Sequence, residues 1–285
     1  AAQAWDGMDD HIDNYRETGW YNNRMAKLAS YNLGTLGGGN HFIEVQESDK
    51  GDVWLMIHSG SRNLGHVIAR HYNQLAMELN KRWHVDLPSK DLAFFPADSD
   101  PGKDYIRDMN FALSYAFENR RLIMEKFKRA FQSVFNKVEF DEQINIHHNY
   151  ANLENHFGKN VWIHRKGATS AKEGELGIIP GSMGTSSYIV RGLGNVESFM
   201  SCSHGAGRVM GRMEASRRLT VKKADKAMDG IVYDRWNKIR RGREKGNYDL
   251  GEAPQAYKNI DTVIEAEKDL VEPIVRLKPL AVVKG

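Results

Sequence analysis

The chain reads as an α+β protein. Helical and strand patterns intermix without a regular βαβ alternation, and glycine-rich turns separate them. In order, residues 53–57 (VWLMI) form an apolar run short enough for a buried strand, leading into the turn HSGSRNLG at 58–65. Leu64, Ile68, Tyr72, Leu75 and Leu79 then recur at helical spacing. Three prolines with Asp, Ser and Gly make 86–103 a long loop, and a second helix runs from about Tyr105 to Val134 with Met109, Ala116 and Ile123 on one side. Residues 138–148, 160–164 and 188–190 read as strands. A third helix is expected from near Gly207 to about Leu219, followed by a basic loop at 235–246. Pro254 suits the first turn of a helix that Ile260, Val263 and Ile264 continue, and the last residues, VRLKPLAVVKG, read as a terminal strand.

Composition narrows the class. The 285 residues are 41% hydrophobic and 10% aromatic, enough to bury a core and to exclude wholesale disorder. No apolar run approaches the roughly 20 residues of a membrane helix. The first residues, AAQAWDGMDD, lack a secretory pattern, so a cytoplasmic protein with no membrane partner is expected. One cysteine, Cys202, excludes a disulfide framework and any two-cysteine zinc site within the chain. It reads as a small buried thiol. A net charge of +3 is too mild to identify a nucleic-acid binder.

Chemistry concentrates in three glycine-rich stretches: LGTLGGGNHF (33–42), IPGSMGTSS (179–187) and SHGAGR (203–208). Glycine lets a backbone approach a phosphate and present N–H donors. None of the three fits the P-loop or dinucleotide patterns. Tight turns are the ordinary reading, but each stretch is punctuated by His, Asn or Ser, which a turn does not need. His41 follows the triple glycine, His58 ends an apolar strand, and His148 closes INIHH. Imidazole binds Mn, Zn and Ni, although a lone histidine is more often structural than a ligand. His204 precedes Gly-Ala-Gly-Arg and an expected helix start, where an anion is favoured, so its ring could attack phosphorus; a capping histidine is the alternative. Basic residues cluster at Arg165-Lys166, Arg208, Arg212, Arg217-Arg218, Lys222-Lys223 and 235–245, a distribution suited to a nucleic-acid backbone.

Eight segments in order, LGTLGGGNHFIEV, HSGSRNLG, INIHHNYA, HRKGAT, IPGSMGTSSYIV, SHGAGR, EAPQAYKNI and the terminal VVKG, resemble the RtcB-type RNA-splicing ligases from about residue 33 to 285. The resemblance implies central β-sheets flanked by helices, and one ligase domain over residues 1–285. It implies an enzyme that joins an RNA 3′-phosphate or 2′,3′-cyclic phosphate end to a 5′-hydroxyl end with GTP and two Mn²⁺ ions, in tRNA splicing or RNA repair, sometimes with an archease-like activator. Carried over by position, His204 would be the nucleophile that becomes guanylylated. His58 and His148 would hold one Mn²⁺ and His41 the second. Asn40 and Asn149 would line the nucleotide phosphates, and Gly205, Ala206 and Gly207 would cradle them. Glu44, Ser182, Ser187, Tyr257 and Lys284 would form the guanosine pocket, while Arg62, Arg165, Lys166 and Arg208 would meet RNA phosphates. The family also draws an Asp and a Cys from an upstream Asp-x-Gly-Cys-Gly-Met segment that these 285 residues do not contain, as a processed piece or a true variant would lack it. A catalytically impaired RNA-binding member and a metal-dependent cyclic-phosphate phosphoesterase are the alternatives.

Overall fold

The computed structural model describes residues 19–285 except Glu142, Arg241 and Arg243. The described residues form two compact units, one comprising the chain up to Gly37 with Ser59–Val134, the other Gly38–His58 with Phe135–Gly285. Mixed helices and antiparallel sheets make the fold α+β.

The first unit is helical: α1 (Asn23–Asn32), α2 (Leu64–Arg82) and α3 (Asp100–Val134), with a 3₁₀ turn at Lys90–Leu92. The apolar stripe of α2 buries Leu64, Ile68 and Tyr72 against Phe111, Ala112 and Tyr115 of α3. Helix α3 starts at Asp100, five residues before the expected Tyr105. Ser99 caps it, its Oγ accepting from the Gly102 amide at 3.2 Å, and Pro101 occupies the first turn, where a missing N–H costs nothing. The proline that reads as a loop signal is therefore a helix start. Two buried polar groups organise this core. Asp108 accepts from Trp20 Nε1 at 2.6 Å and from the Tyr72 hydroxyl. Asn119 accepts from the Gly34 amide at 2.7 Å and donates to Ser59 Oγ at 3.1 Å, so it clamps two turns onto α3.

The second unit is built on one sheet. Its strands are β1 (Phe42–Ser48), β2 (Val53–His58), β6 (Leu176–Ile179), β7 (Ser187–Gly192), β9 (Val232–Tyr233) and β10 (Val271–Lys284), in the order β2-β1-β10-β7-β6, with β9 parallel to β10. Strand β10 is long because its two halves serve different neighbours: Val271–Leu277 pair with β7, and Leu277–Lys284 with β1. Leu277, where the two pairings meet, is fully buried. Two small ladders complete the unit, β3 (Asn149–His156) with β4 (Lys159–Lys166), and β5 (Ala168–Ser170) with β8 (Ser201–Ser203). Three short helices follow: α4 (Arg212–Arg218), α5 (Val221–Ala227) and α6 (Ile260–Ala266), the last preceded by a 3₁₀ turn at Pro254–Ala256.

Two expectations fail here. The described part of 138–148 is not a strand; the strand begins at Asn149, where β4 supplies a partner across the turn at Phe157–Gly158. Alternation without a neighbour makes no ladder. The third helix does not begin at Gly207, whose φ of +71° lies in the left-handed region that a right-handed helix excludes. Residues 207–210 instead bond to the Pro254 turn, through Val209 N to Ala256 O at 2.9 Å, and α4 starts only at Arg212. No helix among the described residues is long and apolar enough to cross a membrane.

Candidate functional site

The sheet register places several of the chosen residues at one end of the second unit. Phe42 pairs with His58 on one side and with Lys284 on the other, so the start of β1 and the ends of β2 and β10 coincide. His41 precedes that start. Its ring lies 5.8 Å from that of His58, which lies 4.9 Å from His148, which in turn stacks on His204 at 5.3 Å with 18° between planes. Four histidines from separate segments thus form one continuous row. Asn40 Nδ2 lies 3.2 Å from His58 Nε2, and the Phe42 ring stacks on His58 at 5.5 Å. Burial, reinforced by the neighbouring His148, His41 and His204 rings, holds His58 well below the usual histidine pKa, so it is neutral at pH 7 with a lone pair to offer.

Lys284 begins a second chain of contacts. Its Nζ lies 3.2 Å from Glu252 Oε2, 3.5 Å from the Asn40 carbonyl and 5.4 Å from the Phe42 ring centroid. Burial pushes the Lys284 amine down, opposed by Glu252 and Glu44. Burial would raise Glu252, but Lys284, Tyr257 and Arg212 outweigh it, and its carboxyl lies below the usual range. Glu44, 2% exposed, is pushed up to about 8 by burial against the opposing pull of Lys284 and Gln46. Gln46 Nε2 donates to Glu44 Oε2 at 2.7 Å and to Ser187 Oγ at 3.3 Å, and Ser187 Oγ accepts from the Gly181 amide. Ser182, also buried, shares its hydroxyl with Thr185 at 2.9 Å. The result is a network of polar contacts with an anionic hub (Glu252), a desolvated carboxyl (Glu44) and serine hydroxyls. Such a set can read a base edge and hold an anion beside it.

The glycine turn after His204 is braced rather than helical. Ala206 N donates to Pro180 O at 2.9 Å, and Lys258 N to Gly207 O at 3.0 Å. A Cβ at Gly205 would stand 3.1 Å from Pro180 O, a tight approach that favours glycine there. The helix-dipole argument for an anion beside His204 therefore fails, leaving the imidazole row as its distinguishing environment. Cys202 is buried and pushed up to about 12 by that burial and by Glu267 and Glu175, which fits an inert thiol.

The four arginine and lysine positions separate. Arg165, 2% exposed, makes a bidentate pair with Glu154 at 2.7 and 2.9 Å and bonds Ser201 Oγ. Its guanidinium is committed to holding the β3–β4 hairpin and is not presented to solvent. Arg208 donates to Glu252, Met210 O, Gly251 O and the Tyr257 hydroxyl, with its guanidinium 4.7 Å from that ring centroid, so it orders the residues around Glu252. Lys166 is exposed at the end of β4, opposite Asn149. Arg62, in the first unit, donates to Thr35 Oγ1 at 3.1 Å. The motifs give no role to Gln46, Glu252 or Phe42. Their signal is the polar alternation Phe42, Glu44, Gln46, Ser48 down β1, three of whose members are buried, and the acid inside EAPQAYKNI.

The family model for tRNA-splicing ligase RtcB matches residues 7–285. The chain belongs to the RtcB family. It is 42% identical over 276 residues to the RNA-splicing ligase RtcB of Escherichia coli (strain K12), covering 93% of this chain and 65% of that protein. It is 36% identical over 296 residues to the tRNA-splicing ligase RtcB of Pyrobaculum aerophilum, covering 89% of this chain and 60% of the relative. The corresponding figures for the tRNA-splicing ligase RtcB of Thermococcus kodakarensis are 34%, 293 residues, 89% and 59%. The chain thus spans about three fifths of the length of these RtcB relatives.

The imidazole row offers neutral nitrogen donors of the kind that bind divalent transition metals. Among the described residues no group of three His, Cys, Asp or Glu side chains stands arranged to hold an ion.

Proposed function

We propose that this chain is the nucleotidyl-transfer part of a GTP- and Mn²⁺-dependent RNA ligase acting on RNA 3′-phosphate or 2′,3′-cyclic phosphate ends and 5′-hydroxyl ends. The observation that carries the reading is His204 stacked on His148 at the end of the imidazole row, with the Lys284–Glu252–Tyr257 contact network in the same unit. His58 and His148 would hold one Mn²⁺ and His41 a second. Bound there, the ions supply charge neutralisation along the triphosphate.

The chain's own residues account for the rest. A ring nitrogen of His204 attacks the α-phosphorus of GTP, forming an N–P bond as the bond to the bridging oxygen breaks and pyrophosphate leaves. The braced turn Gly205–Gly207 lets the α-phosphate come close without a side chain in the way. Glu44, Ser182, Ser187 and Tyr257 orient the guanosine, and Lys284 offers a cation beside it. An oxygen of the RNA 3′-phosphate then attacks the same phosphorus and frees His204, giving a 3′-diphosphate-linked guanosine. The 5′-hydroxyl oxygen attacks the RNA 3′-phosphorus and expels GMP. A cyclic end is hydrolysed to the 3′-monophosphate before transfer. Asn40 and Asn149 line the phosphate path.

Incubation with α-labelled GTP and Mn²⁺ is expected to leave acid-labile label on the protein, absent from His204→Ala. Salt-sensitive RNA binding with no label at all would overturn the ligase reading in favour of an RNA-binding role.

A further inference from the structure

The charge of this chain is distributed very unevenly. Residues 208–245 hold thirteen Lys and Arg against five Asp and Glu, a net +8 in 38 residues. The other 247 residues hold 27 against 32, a net −5, so the modest total of +3 conceals one strongly cationic segment.

The fold leaves the charge of that segment's two helices on the outside of connected elements. Helix α4 buries Ala215 and Ser216, and α5 buries Ala224, so their basic residues are left outside. Arg217, Arg218, Lys222, Lys223, Lys226 and Lys245 are all exposed. Three contacts tie the pieces together. Arg217 Nη1 meets Glu244 Oε1 at 3.4 Å, linking α4 to the basic loop. Leu250 N donates to Ser216 Oγ at 3.1 Å, fixing the loop's return. Trp236 Nε1 and the Tyr233 hydroxyl both donate to Asp225, joining the loop's entry to α5. Lys238 lies 5.6 Å from the exposed Tyr248 ring, which adds an aromatic face among the cations.

The surface is continuous with the candidate site. Arg212, the first residue of α4, bonds Glu252 at 2.8 Å, and Glu252 also takes Lys284, Arg208 and Tyr257. Arg218 lies six residues along the same helix, about 9 Å further out, and α5 continues the series. Exposed ion pairs such as Arg218–Glu214 contribute little, so a ligand can displace them. Exposed Arg and Lys leading away from Glu252 fit a nucleic-acid interface, which is far more positively charged than a protein–protein one.

We propose that the outer face of α4 and α5, with Lys238 and Lys245 beside it, is a docking track for the body of an RNA, gripping backbone phosphates away from the reacting end and independently of its chemistry. This rests on the ligase reading for the identity of the polymer. The test is the triple variant Lys222→Gln, Lys223→Gln, Lys226→Gln, whose substitutions keep helix propensity on an exposed face. Arg217→Gln with Arg218→Gln serves as a second variant should the first fold poorly by circular dichroism. Equilibrium binding of a labelled hairpin RNA with a 3′-phosphate tail and of a four-nucleotide 3′-phosphate RNA is measured from 50 to 300 mM salt. For the hairpin, the slope of log affinity against log salt should fall by about 0.7 to 0.9 per lost contact, with a loss of about 10- to 100-fold at 150 mM salt. The four-nucleotide RNA should bind the variant and the native chain alike. An unchanged hairpin affinity and slope would overturn the track, as would equal losses for both RNAs; retained binding of an acidic protein alone would assign the surface to another partner and overturn it too. GTP labelling of the protein, which involves no RNA, is run in parallel. Its absence in the native chain would refute the ligase reading, while the hairpin comparison still decides the track.

Discussion

Replacing Arg165 with Met tests whether this residue is structural, as its burial indicates, or an RNA contact, as its place in HRKGAT suggests. Arg165 and Glu154 side chains are 1% and 5% exposed, and the guanidinium forms two parallel bonds to the carboxylate. Bonding to Arg165 first, then to His156, lowers the Glu154 carboxyl to about 2 from 4.5. Two and a half units correspond to about 3 kcal/mol, in line with about 3–5 kcal/mol for breaking a buried pair by removing one partner. Because the folded pKa is depressed, this stability is fully present above about pH 4.5 and drains away as pH falls toward 2. Arg165→Met is therefore expected to lower the stability of the second unit by about 3 kcal/mol at pH 7, and by progressively less below pH 4.5. Glu154→Leu with Arg165→Met should recover most of the loss, since an apolar pair leaves no stranded charge. Denaturant unfolding at pH 7 and pH 3 measures both effects. A loss under about 1 kcal/mol at pH 7, or double-variant losses that simply add, would refute the reasoning. RNA affinity falling with stability intact would return Arg165 to the substrate.

Other outcomes are equally specific. Glu44 titrates near 8 in the folded chain against 4.5 when unfolded, so the native chain should lose stability relative to Glu44→Gln as pH rises through that window, measurable by thermal melts at pH 5 and 8.5. Gly207→Ala forces a side chain into φ +71° and should cost about 1 to 2 kcal/mol in unfolding free energy while disturbing the turn after His204. Lys284→Met removes the cation between Glu252 and Glu44, and GTP affinity by equilibrium dialysis should fall about tenfold or more. His58→Ala should release Mn²⁺, seen by electron paramagnetic resonance, without unfolding the chain by circular dichroism.

Periodicity serves the long elements well. Leu64, Ile68 and Tyr72 place α2 because their spacing reflects a real stripe against α3. It fails where the deciding partner lies elsewhere: 138–148 alternates but its described residues are not a strand, and 207–219 looks helical until the positive φ of Gly207 delays α4 to Arg212. Among site residues, His41 and His204 announce themselves by sitting in glycine-rich turns. The meeting of His41 with His58 depends on the start of β1 lying beside the end of β2, a matter of register that local sequence does not contain. Glu252 and Gln46 escape notice because a lone acid and a lone amide carry meaning only through what they touch. Arg165 misleads for the opposite reason: a basic residue in a conspicuous motif is buried on Glu154.

The most direct measurement is the covalent state of His204 after incubation with GTP and Mn²⁺ followed by acid-free peptide mass spectrometry. The account predicts a GMP adduct on the peptide bearing His204, absent after His204→Ala and weakened after His148→Ala, whose ring it stacks on. An adduct on another residue, or none on a folded chain that binds both GTP and Mn²⁺, would contradict it.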